Sequence, residues 1–130
     1  MIINIGTDII DIRRIKKTIN KYGNKFKKRC FHKSEILKSE NRLKTAESYS
    51  KRYAAKEAFS KATGFGISNN LHFKNIEIDN NRKGKPSINL DKSTCIYLKK
   101  KFKVKSFRTN LSLSDEKNYS IAYVVIEKKW

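Results

Sequence analysis

The chain has 130 residues, 38% of them hydrophobic and 33% charged, with a formal charge of +19 at pH 7. That length suits a single domain, 1–130, and its Ile, Phe and Tyr suffice to close a core without metal or disulfide support, which excludes disorder as the default. Cys30 and Cys95 lack the spacing of a zinc site, no apolar run approaches a membrane span, and the N-terminus lacks the order of a signal peptide, so a reduced, cytoplasmic protein is expected.

Residues 2–10 read as a strand, in which Ile3, Ile5, Thr7 and Ile9 alternate with Asn4, Gly6, Asp8 and Ile10. Asp8 falls near the strand's end, where an acid beside an apolar core must be capped, paired or metal-bound. Asp11 is placed to cap a helix. From there Ile12, Ile15, Ile19, Tyr22 and Phe26 recur at helical spacing, with Arg14, Lys17, Lys21, Lys25 and Lys28 on another face and Gly23 as a break or bend. Lysine is abundant throughout, together with Asn and Ile, a pattern that AT-rich codon usage imposes, so only lysines with positional logic count. The ordered stripe has that logic. It reads either as a docking surface for an acidic partner or as a solvated helix face.

A longer helix is predicted over 45–63, ended by Gly64 in "ATGFG". At about 100° per residue, "YAAKEAFSKA" sets Ala55, Ala58, Phe59 and Ala62 on one side and Lys56, Glu57, Ser60 and Lys61 in an arc opposite. A helix with so many alanines should pack closely and lie centrally. Beyond it, "LHFKNIEID" reads as a strand, "NNRKGKP" as a basic turn, "PSINL" as a strand, and "STCIYLKKKF" as a helix. "SFRTNLSLSD" and "YSIAYVVIEKK" read as two antiparallel strands joined by a polar turn at 115–118. Strands and helices without strict alternation give an α+β class, with a small mixed or antiparallel sheet around the alanine-rich helix.

Glu57 and Lys61 are first of all a favourable i,i+4 ion pair, worth roughly 0.2–0.5 kcal/mol. Asp8 adds a second acid at a strand tip that this helix would cover. Two converging carboxylates repel, and Mg²⁺ relieves that repulsion using one or two carboxylates, waters and substrate phosphate oxygens. Arg52, Lys56 and Lys61 on the same helix supply cations for such a phosphate, and Gly84 with Lys85 in "KGKP" adds a close backbone approach beside a charge. His32 and His72 lack ligand spacing, and there is no Walker loop, dinucleotide fingerprint or nucleophile elbow.

"IGTDIIDIRRI", "KRYAAKEAFSKATGFGI", "NRKGKP" and "LSLSD…YSIAYVVIE" together resemble, in order and spacing across essentially the whole chain, the bacterial holo-(acyl-carrier-protein) synthases of the 4'-phosphopantetheinyl transferase family. The resemblance implies that family's fold and its reaction, the Mg²⁺-dependent transfer of 4'-phosphopantetheine from coenzyme A to a serine of apo-acyl carrier protein. It implies Asp8 and Glu57 as metal ligands, and Lys61 as the lysine neutralising the phosphate under attack. Arg14, with Lys17 and Lys21 beside it, would dock the acidic carrier. Gly84, Lys85 and Pro86 would line the coenzyme A site, with Arg52 and Lys56 as further phosphate contacts. It also implies a homotrimer with interfacial active sites, and no nucleic-acid or membrane partner. One departure stands out: the family usually has His after "LSLS", and this chain has Asp115, near the coenzyme A site. An anion there is unfavourable unless a cation intervenes, so either Lys117 or the metal compensates, or coenzyme A binds more weakly. The competing readings are a small basic RNA- or ribosome-binding domain and a carrier-binding relative without activity.

Overall fold

The computed structural model describes residues 1–67 and 71–129. Strand β1 (Ile2–Asp11) runs directly into helix α1 (Ile12–Tyr22), because the Asp11 carboxylate accepts from the Arg13 amide at 3.0 Å and caps the helix. Gly23, at φ +54°, ends α1 and turns the chain into α2 (Asn24–Cys30). Helix α3 (Lys33–Glu40) starts with a reciprocal cap in which the His32 side chain accepts from Ser34 N and Glu35 accepts from His32 N.

Helix α4 (Thr45–Thr63) occupies the span expected for it and closes on Gly64 in the left-handed region. The strand expected over "LHFKNIEID" is shorter: Phe73–Asn75 form a 3₁₀ turn, held by Asn75 N donating to His72 O, and β2 covers Ile76–Asn80 only. Strand β3 (Pro86–Leu90) pairs with it antiparallel. Then come α5 (Lys92–Phe102), capped by Asp91, β4 (Phe107–Glu116) and β5 (Tyr119–Lys128).

The described strands form a three-stranded sheet in the order β1-β5-β4 and the separate β2-β3 hairpin, and the pairings of β1 with β5, β4 with β5 and β2 with β3 are all antiparallel, so neither sheet is mixed. Helix α4 lies across the inner face of the larger sheet. That face carries Gly6, Asp8 and Ile10 from β1 with Ser120, Ala122, Val124 and Ile126 from β5, all buried. Ala54, Ala55, Ala58, Phe59 and Ala62 are likewise buried on α4, and their small side chains let the helix and sheet approach closely. The opposite face of β1 and β5 leaves Ile5, Ile9, Tyr119, Ile121 and Tyr123 exposed.

The polar arc predicted for α4 is only partly an exposed one. Lys56 is completely buried and Ser60 nearly so. Lys56 Nζ donates to Glu35 Oε1 and to Phe73 O, each at 2.6 Å, and Glu35 Oε2 accepts from Ile78 N at 3.2 Å. This buried knot ties α4, α3, the 3₁₀ turn and β2 together. It satisfies each charge with a partner, as burial requires.

Candidate active site

The site begins with the packing of β1 on α4. Gly6 has no Cβ to hold the strand off the helix, so Asp8, two residues along on the same face, is carried against the helix flank. Asp8 is buried to 9% exposure, and its Oδ1 accepts from Lys61 Nζ at 2.9 Å. Lys61 donates also to the Thr7 carbonyl at 3.1 Å, while 57% of its side chain stays exposed. The simple i,i+4 pairing of Glu57 with Lys61 is thereby replaced by a bridge from helix to strand.

Glu57 stands one turn before Lys61. Burial, then the charge of Asp8 and a hydrogen-bonding contact with its carboxyl, push the Glu57 carboxyl above its ordinary range, so the two acids meet. The Tyr53 hydroxyl, one further turn back, bonds Glu57, and its own pKa is pushed up by burial and by that acid. Its ring is held between Phe26 and Phe73, with centroids 6.0 and 5.2 Å away. Lys61 is pushed up by its bond to Asp8, so its ammonium is secured.

Asp8 Oδ2 is buried with no hydrogen-bond donor. An orphaned carboxylate oxygen beside a second, repelled carboxylate fits a hard divalent cation. Among the described residues no group of three or more His, Cys, Asp or Glu offers a metal cage. Two carboxylates suit Mg²⁺, which fills its remaining positions with water and phosphate oxygens, and do not make a closed zinc site.

Six residues toward the N-terminus of α4, about 9 Å along its axis, a cleft of about 680 Å³ opens between α4, the loop before it and the β2-β3 hairpin. Arg42, Lys44, Lys51, Arg52, Asn80 and Gly84 are on its wall. Gly84, at φ +85°, makes the hairpin turn with open space where a side chain would stand. Lys85 is exposed beside it and Pro86 starts β3. Arg52 reaches the cleft, but most of its guanidinium is buried, bonded to Ile78 O and 3.8 Å from Glu35. Lys56 does not reach it. The expectation of a phosphate contact at Lys56 is corrected: the fold places its ammonium in the interior, committed to Glu35.

The compensation expected for Asp115 is also different. Lys51 Nζ lies 2.6 Å from Asp115 Oδ2, and Ser120 Oγ donates to Oδ1 at 3.1 Å, so Lys51 supplies the cation in place of Lys117. Lys117 faces a second cavity, beside Lys16 and Lys44 between α1 and the start of α4. Arg14, Lys17 and Lys21 are exposed along α1 as expected.

Lys51, Tyr53, Glu35 and Gly6 were not singled out from the sequence. Glu35 carried a local signal, three residues after a cap position, and so did Gly6, a glycine inside a strand. Lys51 and Tyr53 gain meaning only from strands and loops distant in sequence.

The family model of the 4'-phosphopantetheinyl transferase superfamily matches residues 4–124. With a paired-carboxylate and lysine site on this α+β frame, the chain belongs to that superfamily. Within it the chain falls in the family of the holo-(acyl-carrier-protein) synthases. It is 47% identical over 128 residues to the holo-(acyl-carrier-protein) synthase of Pelagibacter ubique, covering 98% of each chain, and 41% identical to that of Rhizobium meliloti, covering 98% of this chain and 92% of the relative. The crystal structure of the Neisseria meningitidis synthase superposes with a TM-score of 0.90 at 38% identity, covering 98% of this chain and all of the other. The Helicobacter pylori synthase, solved in complex with coenzyme A, superposes with a TM-score of 0.81 at 33% identity over 95% of this chain and 99% of the other.

Proposed function

We propose that the enzyme, acting as one domain, transfers 4'-phosphopantetheine from coenzyme A to a serine hydroxyl of an acidic apo-acyl carrier protein, releasing adenosine 3',5'-bisphosphate. Asp8 and Glu57 would hold Mg²⁺. The observation that carries the reading is the buried, donorless Asp8 Oδ2 beside Glu57, with Lys61 anchored at the same carboxylate. Relatives named for this activity, and relatives solved with coenzyme A, support it.

The reaction is displacement at phosphorus, for which positioning and charge neutralisation supply most of the acceleration. Held by Asp8 and Glu57, Mg²⁺ would supply charge neutralisation for the phosphate groups. Lys61, held by Asp8 with its ammonium still open to solvent, is placed to bind a phosphoryl oxygen whose charge grows during transfer. Tyr53 orients Glu57, and the ring packing of Tyr53 fixes both. The cationic cleft along α4, with Arg52, Gly84 and the neighbouring Lys85 and Pro86, would take the nucleotide portion of coenzyme A. Arg14, Lys17 and Lys21 would receive the acidic carrier by charge complementarity.

The exposed apolar face of β1 and β5 supports association of copies of the chain as a homotrimer with active sites at the subunit boundaries. No described helix is long and apolar enough to cross a membrane. We place the activity in the cytoplasm, in fatty acid biosynthesis.

Intact-mass measurement of apo-carrier incubated with enzyme and coenzyme A, with Mg²⁺ or with EDTA, tests the reading. Addition of one phosphopantetheine only in the Mg²⁺ arm is expected. No mass gain in either arm overturns it, and salt-sensitive RNA binding without metal or coenzyme A would favour a nucleic-acid module instead.

A further inference from the structure

Asp115 and Lys51 meet beside the cationic cleft, and neither belongs to the acid pair at Asp8. Lys51 is on the cleft wall, and Asp115 contacts it through Oδ2 at 2.6 Å. Asp115 is itself anchored, because Oδ1 accepts from Ser120, whose side chain is buried on β5 opposite it in the hairpin. The ammonium of Lys51 therefore has a fixed partner. A second acid, Glu47, stands 3.8 Å from the same ammonium and 3.9 Å from that of Lys44. The cleft is thus a chain of alternating charges, Lys44, Glu47, Lys51 and Asp115, with Arg42 and Arg52 contributing cations beside it.

We propose that Lys51 is the resident counter-ion of Asp115, and that their pairing determines the affinity of the cleft for a polyanionic nucleotide co-substrate. This inference rests on the reading of the cleft as the coenzyme A site. An unpaired carboxylate at this wall would repel phosphate groups, and the repulsion is strong because the partly buried wall screens it less than bulk water does. Paired with Lys51, the acid presents no net charge. Lys51 consequently acts on the ligand mainly by cancelling Asp115, which gives the two single substitutions opposite signs. Removing the lysine exposes the acid, and removing the acid frees a cation.

The test measures the dissociation constant of coenzyme A by calorimetry for the wild type, Lys51→Met, Asp115→Asn and the double variant, at low and high salt. Lys51→Met is expected to weaken binding by about threefold to tenfold, the scale of one uncompensated charge at a partly screened site. Asp115→Asn is expected to tighten binding, and the double variant to return within about twofold of the wild type, as a neutral pair replaced by a neutral pair requires. The spread among the four should shrink at high salt. A purely structural role for the pair would instead lower thermal stability and weaken binding in both single variants without restoration in the double, which overturns the proposal. Four equal constants overturn it as well. A wild type that fails to bind coenzyme A refutes the reading of the cleft itself, whereas a binding wild type without mutual rescue refutes only the counter-ion role.

Discussion

Gly6 and Ala58 meet backbone to backbone: a methyl group built on Gly6 would stand 2.0 Å from the Ala58 carbonyl oxygen and 2.7 Å from the Ala62 amide nitrogen. Neither atom can yield without moving the helix. Gly6→Ala is therefore expected to destabilise the fold by about 3 kcal/mol, the upper range for overpacking, since the clash is with backbone. It should also cut turnover, because Asp8 is two residues away on the same face. A urea unfolding curve with wild-type midpoint would contradict this account of the packing.

Glu57→Gln and Asp8→Asn each keep shape and remove one of two repelling charges. Turnover with Mg²⁺ should fall on the order of 100-fold or more, as for loss of a preorganised charge contact in a transition state. Circular dichroism should report an unchanged fold. Retained turnover in Glu57→Gln would reduce Glu57 to an acceptor for the Tyr53 hydroxyl.

The same pair sets a pH dependence in metal-free protein. Glu57 has a folded-state pKa raised by burial and by Asp8, so its contribution favours folding when protonated and is lost as pH rises through the raised value. Thermal stability should therefore increase as pH falls from neutrality toward about 5, and Glu57→Gln should abolish that increase. Glu77, Asp79 and Asp91 act oppositely. Ser34, Lys38 and Thr94, respectively, hold them below the usual carboxylate range, so their stabilisation is present at neutral pH and is lost on acidification below about pH 4. A metal-free stability curve with no rise before the acid limb would contradict the proximity of the two acids.

Among the described residues, Glu35 is the acid within ion-pair distance of both Lys56 and Arg52. Glu35→Gln leaves Lys56 charged and largely unpaired, at an expected cost of about 3–5 kcal/mol. Lys56→Met should cost less, because Glu35 keeps the His32 and Ile78 amides and Arg52 nearby. The variant combining Glu35→Leu with Lys56→Met should recover part of the loss. Equal unfolding midpoints for the two single variants would show that Arg52 and the amides do not support Glu35.

Arg14→Glu should raise KM for carrier on the order of 10-fold, by reversing a charge on the proposed docking face, and leave KM for coenzyme A within about twofold. The difference should shrink with added salt. Equal changes in both constants would remove Arg14 from the docking surface.

Much of this architecture was legible before the structure. Helix α4 and strand β3 have the predicted bounds, because Gly64 ends one and the turn before Pro86 begins the other, both local chemistry. Helix α3 went unread. Only Ile36 and Leu37 are apolar within it, and what secures it is the buried Glu35, whose partners lie 21 and 43 residues away. The same separation explains the misreading of Lys56. Helical projection describes one helix against a plane, and Lys56 is buried by a separate element folded over the polar side. Asp8 with Glu57 was legible for a different reason: a helix lined with small residues is expected to pack over the strand that carries Asp8. The Lys51 partner of Asp115 depends on where the hairpin of β4 and β5 meets α4, a detail no local pattern carries.

The pairing of β1 with β5 joins residues more than a hundred positions apart, Asp8 lying opposite Ala122. On the ribosome, β1 emerges early and has no sheet partner until β5 follows it out. Such distant pairing carries a large loop-closure cost and slows folding. The proposed site is consequently assembled late in the life of each nascent chain, so a product arrested within β4 can contain Asp8, Glu57 and Lys61 and still lack the sheet that holds the strand against the helix.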